Sequence, residues 1–278
     1  MVLPMRPLKS ITPEQAAGIR YVLTDIDDTV TTEGRLTGQA YLAIERLTQA
    51  GLVVIPITGR PAGWCDHFAR MWPIYAIVGE NGAFYYRYDP KARKMHTHYW
   101  ASAEHRHDNR LKLNKLAKDI LTAVPGSALA SDQDYRQADL AIDFCEDVAP
   151  LPEADVLRIV QMFEAEGAQA KISSIHVNGW FGHYDKLSMT QTLFAREFDL
   201  KLEQNLDKVL FIGDSPNDEP MFGFFNNSVG VANIQSQLHR ITAYPKYVTQ
   251  SKGGTGFVEM VDHLLTLREA IDPIANHN

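Results

Sequence analysis

Two short acidic clusters stand out in this chain, each directly behind an apolar, β-branched run. The first is Asp25-Ile26-Asp27-Asp28-Thr29, after Tyr21 to Thr24; the second is Gly213-Asp214-Ser215-Pro216-Asn217-Asp218, after Lys208 to Ile212. Carboxylates one residue apart lie within a few ångströms of each other, so their repulsion calls for a cation or a shared proton. Asp25, Asp27, Asp214 and Asp218 together offer the hard oxygen ligands that a divalent ion such as Mg2+ takes, with water and substrate oxygens completing the shell. Two plainer readings stand beside this one. The first cluster suits a solvated turn before a helix, and the second suits a proline turn whose aspartates cap the next helix.

Between the clusters lies Thr58-Gly59-Arg60, also behind a strand-like run, Leu52 to Ile57. A hydroxyl and free backbone N–H groups at such a turn suit a phosphate oxygen. Lys186, at the start of a helical stretch, offers a point charge to the same anion. Each has an ordinary alternative, a helix cap for Thr58 and a solvated surface position for Lys186.

What must position these groups follows from the hydrophobic pattern. Apolar strands at Tyr21–Thr24, Leu52–Ile57, Ile74–Val78, Lys208–Ile212 and Ser228–Ala232 alternate with helix-length segments, one starting near Thr37 and stopping at Gly51. Buried strands alternating with helices predict βαβ units and an α/β fold with a parallel sheet. Ligands bind such sheets in the crevice beyond the carboxyl ends of the strands, where both acidic clusters and Thr58-Gly59-Arg60 fall.

The middle of the chain reads differently. Alternating stretches at Tyr85–Tyr88 and Met95–Trp100, a polar helix over Ser102–Val124, a strand over Ala138–Phe144, a helix over Glu153–Gly167 and a strand over Lys171–Val177 predict an α+β insertion. The expected division is therefore a core of residues 1–84 and 182–278, with an inserted domain over 85–181.

Taken in order, these motifs resemble the haloacid dehalogenase (HAD) superfamily: Asp25-Ile26-Asp27-Asp28-Thr29, then Ile57-Thr58-Gly59-Arg60, then Lys186, then Gly213 to Asp218. The resemblance runs from about Tyr21 to Met260. A long insertion between the second and third motifs resembles a C2 cap, and its α+β pattern with the preceding Glu80-Asn81-Gly82-Ala83 resembles subclass IIB, which includes Cof-type and sucrose-phosphate phosphatases. The resemblance implies a Rossmann-like core with a cap that recognises substrate.

It further implies a Mg2+-dependent phosphatase acting on a small phosphorylated metabolite, a sugar phosphate above all. Asp25 would be the nucleophile and Asp27 the acid and base. Mg2+ would sit on Asp25, the Asp27 carbonyl, Asp214 and Asp218. Thr58, Gly59, Lys186 and Asn217 would hold the phosphate. Arg60, Asn81, Asn178 and Trp180 are the candidates for the rest of the substrate, the last two because they lie where the cap returns to the core. A phosphomannomutase-like mutase and a noncatalytic binding protein on the same scaffold are the alternatives. Two positions depart from the family pattern: Asp28 and Leu187 stand where glycine is usual.

Composition narrows the field. Lys and Arg number 27 against 34 Asp and Glu, a net charge of −7 over 278 residues, so no broad positive field exists for nucleic acid. Cys65 and Cys145 form no C-x-x-C, which argues against a disulfide framework. The first residues resemble no signal peptide and no apolar run approaches a membrane span, so a cytoplasmic protein with no membrane partner is expected. His96, His98, His105 and His107 crowd one stretch without a fixed ligand spacing, which favours an exposed polar surface over a metal site. Lys252-Gly253-Gly254-Thr255-Gly256 lacks the order of a phosphate-binding loop and reads as a mobile loop.

Overall fold

Uncharged runs of β-branched and aromatic residues suit strands covered on both faces, and the chain uses them so. The computed structural model describes residues 5–271. It begins with a short β1 (Arg6–Pro7) and α1 (Pro13–Gly18), then β2 (Tyr21–Thr24), α2 (Gly38–Gln49), β3 (Val53–Pro56) and α3 (Ala62–Met71). β4 (Ile77–Gly79), β5 (Phe84–Asp89) and β6 (Lys94–Tyr99) follow. The insertion continues with α4 (Ala103–Ala123), β7 (Ala128–Leu129), β8 (Leu140–Asp143), α5 (Glu153–Ala165), β9 (Gln169–Ile172) and β10 (His176–Trp180). The chain ends with α6 (Lys186–Glu197), β11 (Val209–Gly213), α7 (Glu219–Phe224), β12 (Asn227–Gly230), β13 (Tyr247–Val248) and α8 (Gly253–Ile271).

The main sheet is parallel throughout, in the order β1-β13-β12-β11-β2-β3. Successive strand residues point to opposite faces, so Val22, Val54 and Leu210 pack with α2 and α8 through Ile44, Leu47, Phe257 and Leu264. Leu23, Ile55 and Phe211 join α6 and α7 on the other face through Met189, Leu193, Met221 and Phe222. β2 and β11 run side by side near the middle, which brings the two acidic clusters together at one edge.

A separate antiparallel sheet, β7-β8-β10-β9, forms the lid. Its helix face buries Ile142 and Val177 against Leu116 and Ile120 of α4 and Ile159 and Phe163 of α5. The alternation then leaves His176 and Asn178 on the opposite face, towards the core. Gly179 is required where it stands, because a Cβ there would lie 2.0 Å from the Phe163 ring.

Three expectations change. β4 does not extend the parallel sheet: it touches Ile57 through a single parallel bridge and pairs antiparallel with β5, which pairs with β6. That hairpin therefore goes with β4 and not with the lid sheet, although it lies within residues 85–181. The single strand expected over Lys171–Val177 is two strands joined by a turn at residues 173–175, because Ser173 accepts the N–H groups of Ile175 and His176 with its own hydroxyl. The glycines of 253–256 form the first turn of α8 and not a mobile loop; a Cβ on Gly254 would meet the Val30 carbonyl at 2.6 Å. No helix among the described residues is long and apolar enough to cross a membrane.

Candidate active site

β2 ends at Thr24, so Asp25 and Asp27 lie past the last strand residue and diverge. The Asp25 N–H still continues the ladder to the Ile212 carbonyl, and its buried side chain points to Lys186. The chain then folds back, the N–H groups of Thr29, Val30 and Thr31 all converging on the Ile26 carbonyl. Asp28 takes a positive φ of 54° in this turn. Glycine adopts that conformation freely and aspartate tolerates it, which is the physical sense of the departure at this position.

On the floor of the crevice, Lys186 at the head of α6 is wholly buried and donates to Asp25 Oδ1 and Asp218 Oδ1, both at 2.6 Å. Asp218 also accepts the N–H groups of Asp214 and Ser215, which fixes the turn after β11. Asp214 is held by the Thr29 hydroxyl at 3.3 Å and the Asn233 amide at 3.0 Å. Carboxylate oxygens of Asp25, Asp214 and Asp218 lie within 4.8 Å of one another.

Three buried carboxylates against one ammonium leave two negative charges unbalanced. Burial, reinforced by Asp218 and Asp27 and opposed by Lys186, pushes Asp25 up to about 8. Burial, with Asp25 and Asp218 close by, pushes Asp214 well above the carboxylate range. Lys186 is driven the other way by its partners: burial opposes its charge, but Asp218 and Asp25 outweigh it and raise it above the usual lysine value. A hard divalent cation supplies the charge this cage lacks, and the all-oxygen donor set fits one. The Asp27 carboxylate is not among these oxygens. The histidines at 96, 98, 105 and 107 form no such group among the described residues.

The roof is built around Arg60. Its guanidinium grips both oxygens of Asp27, at 2.8 to 3.0 Å, and reaches Asp132 at 3.2 Å and Glu146 at 2.8 Å in the lid, while its flat face covers Trp64 at 4.5 Å. Glu146 also meets His176 at 2.9 Å. Burial would raise this carboxyl, but His176 and Arg60 outweigh that and hold it at about 2. Arg136 binds Asp132, Asp139 and the Gly59 carbonyl, and Asn178 donates to Asp139 at 2.9 Å. Floor and roof face each other across a narrow crevice lined by Asp25, Asp27, Arg60, Ser174, His176 and Asn178 among others.

The structure thus brings together Asp25, Asp27, Gly59, Arg60, Lys186, Asp214, Asp218, Asn217 and Asn178. Thr58 is buried behind them, its hydroxyl accepting the Arg60 N–H at 3.0 Å. Asn81 reaches Asn217 at 3.1 Å, and its own amide nitrogen has no donor contact in return. Trp180 is not at the crevice. It is buried on Tyr184, with its indole N–H on the Tyr184 carbonyl at 3.1 Å, and packs the lid's return to the core. Sequence reasoning missed Ser173, Ser174, Asp132, Arg136 and Glu146. The Ser-Ser pair was a turn signal that could have found the first two; nothing local marked the others.

A model of the haloacid dehalogenase-like hydrolases matches residues 183–261, the segment that carries Lys186, Asp214 and Asp218. All four motifs converge on one crevice, and over the matched segment the chain is similar to these hydrolases. Among curated proteins, the chain is 26% identical to a phosphoglycolate phosphatase of Methanosarcina mazei, over 87% of this chain and 95% of that one. Among solved structures it resembles Thermoplasma acidophilum 0175, with a TM-score of 0.68, 20% identity, and 89% and 98% of the two chains covered. It also resembles the C-terminal domain of the C. albicans trehalose-6-phosphate phosphatase, with a TM-score of 0.69, 12% identity, and 95% and 99% covered. At these identities the two structures testify to the fold.

Proposed function

We propose that this protein is a cytoplasmic, Mg2+-dependent phosphomonoester hydrolase that cleaves a small sugar or polyol phosphate through an aspartyl-phosphate. The observation that carries the reading is the floor: Lys186 holding Asp25 at 2.6 Å beside a carboxylate cage two charges short of balance. Asp25, Asp214, Asp218 and the Asp27 carbonyl would hold Mg2+, which would offset the charge of the phosphate and the nucleophile.

Asp25 attacks phosphorus, the ester P–O bond breaks, and the leaving oxygen takes a proton from Asp27. Asp27 must leave its fork with Arg60 to reach that oxygen. In the second step Asp27 takes a proton from water, which attacks phosphorus and frees Asp25 and inorganic phosphate. Lys186 keeps the Asp25 carboxylate aimed and screens its charge as the phosphate approaches. Thr58, the Gly59 backbone and Asn217 serve the phosphoryl oxygens. Asp28 adds one acidic group at the rim. Burial and the neighbouring Asp27 raise it, while the Ser174 hydroxyl works the other way.

The roof bears on the leaving group. Even when Asp27 leaves, Arg60 keeps Asp132 and Glu146, and Arg136 keeps Asp132 and Asp139, so neither carries an unmatched charge for a substrate carboxylate. Ser174, His176 and Asn178 present hydroxyl, imidazole and amide groups suited to sugar hydroxyls. This favours a neutral, hydroxylated leaving group over the acidic one of phosphoglycolate. The substrate-reading part is the inserted block 85–181, of which the β5–β6 hairpin stays with the core.

Phosphate release from a panel of hexose phosphates, phosphoglycolate, nucleotides and pyridoxal phosphate, with and without Mg2+, tests the proposal. Release from sugar phosphates above phosphoglycolate supports it. Conversion of hexose 1-phosphate to hexose 6-phosphate without free phosphate would make the protein a mutase. No turnover of any ester would leave a binding protein.

A further inference from the structure

Besides the Arg60 pairs with Asp132 and Glu146 over the crevice, the lid is fastened to the core at two edges of opposite character. At the first, the Glu80 carboxylate is wholly buried and accepts four backbone N–H groups. One comes from Ala62 of the core at 3.0 Å; three come from the lid, Gln137 at 2.8 Å, Ala138 at 2.6 Å and Asp139 at 3.2 Å. Beside it, Arg136 reaches across to the Gly59 carbonyl at 2.9 Å. Both chain crossings pass the same place. The Trp100 N–H donates to the Ala83 carbonyl at 2.8 Å, and Gly82 lies so close to Asp185 that a Cβ would stand 2.0 Å from its carbonyl oxygen. Glu80 and Asn81 hold left-handed φ values of 45° and 53°, a strain that persists only where surroundings over-determine it.

At the second place, Glu153 in the first turn of α5 meets His239 at 3.2 Å and Arg240 at 3.1 Å of the core. The Glu153 side chain is 52% exposed and that of His239 58%. The two fastenings lie on opposite sides of the site by sheet order. Gly59 and Glu80 follow β3 and β4, His239 and Arg240 follow β12, and β2 and β11 with Asp25 and Asp214 run between. An open cleft separates lid from core at the second edge, lined by Glu153, Lys171, Ile172, Pro216, Glu219 and Arg240.

Stripping a buried carboxylate of four donors is far harder than parting an exposed ion pair, which water and salt replace, or the single Arg60–Glu146 pair, whose Glu146 side chain is already partly exposed. We infer that the lid pivots at Glu80 and opens at the Glu153–Arg240 edge, admitting substrate between the 173–175 turn and Pro216. Glu80 is then a positioning residue: it holds the lid's near edge and the Thr58–Arg60 turn in one register while the far edge moves.

The inference rests on the proposed phosphatase reading only for its kinetic test, in which a short bismaleimide bridges the far edge of the full chain, Glu153→Cys with Arg240→Cys, in a Cys145→Ser background. The same double-cysteine protein capped with a monofunctional maleimide is the untethered control. The tether should cut ester turnover at least about twentyfold and the caps less than about threefold; a harmless tether, or an equal loss with the caps, overturns the inference. Hydrogen exchange needs no turnover and so judges the pivot even if no ester is cleaved. In Glu80→Gln, whose amide cannot serve four donors as a carboxylate does, the amides of residues 137–139 should lose at least about tenfold protection while β8 and β10 keep theirs. Glu153→Gln should leave all of them unchanged. Should Glu80→Gln not fold, Glu80→Asp is read the same way, and protection unchanged in it, or lost equally in Glu153→Gln, removes the pivot.

Discussion

Floor and roof of the same crevice are both crowded with charge, yet they are balanced in different ways. On the floor, Asp25, Asp214 and Asp218 share one ammonium and remain two charges short. On the roof, Arg60 and Arg136 are surrounded by Asp27, Asp132, Asp139 and Glu146 and have nothing left to offer an anion. A buried imbalance is tolerated only where a ligand arrives to cancel it, whereas a balanced network holds its own shape. The floor is thus read as the place for a cation and a phosphate, and the roof as a fixed surface that neutral polar groups can match. That difference is open to test.

The largest effect is expected on the floor. Asp25→Asn should lower kcat on the order of 10^3-fold, equally for every ester, because it removes the attacking group and not a substrate contact. The metal-free protein should keep its melting temperature, since the change relieves repulsion with Asp218. Activity within about tenfold of the parent would place the nucleophile elsewhere. Next comes the missing cation. EDTA should silence the protein and Mg2+ restore it, and saturating Mg2+ should also raise Tm, by about 2.7 kcal/mol of stability at a hundredfold excess over Kd. Full activity in chelator with no Tm response would undo the charge argument.

Roof substitutions should be smaller and selective. Asn178→Ala should reduce kcat/KM for the physiological ester by roughly 1–3 kcal/mol, through a lost hydroxyl contact, and hardly touch p-nitrophenyl phosphate. Trp180→Phe, by contrast, should lower Tm and leave that ratio alone, because Trp180 faces Tyr184 and not the crevice. Equal losses on both esters for Asn178→Ala would break the distinction between floor and roof. The smallest effect is a pH slope. Glu146 is held at about 2 against its usual 4.5, so it adds stability that is fully present above 4.5 and is lost as pH falls through 2. Glu146→Gln should flatten thermal stability over that acid window; an unchanged slope would show the roof ion pairs to be idle.

The parallel core was readable because its strands are short runs of buried β-branched residues, and burial on both faces leaves a strong local pattern. The floor was readable for a related reason. Asp25, Thr58 and Asp214 each sit at or just past the end of such a run, and the sheet carries strand ends to one edge whatever the intervening sequence. The lid was only partly readable. Its helices gave periodic patterns, but the turn at residues 173–175 was hidden among Ile172, Ile175 and Val177, and Trp180 looked like a ligand contact because aromatic residues serve both uses.

Sequence by itself determined the local chemistry: which carboxylates follow which strands, that a lysine opens a helix after the insertion, and that an α+β block interrupts an α/β core. Only the tertiary structure decided which groups face each other. Asp27 turns away from Asp25 to Arg60 because the strand ends between them, and Arg60 meets Asp132 and Glu146 across 72 and 86 residues of chain. Contacts at that separation leave no local trace, since each partner's own neighbourhood is satisfied by ordinary turns, and their pairing is fixed by where the lid sheet is seated on the core.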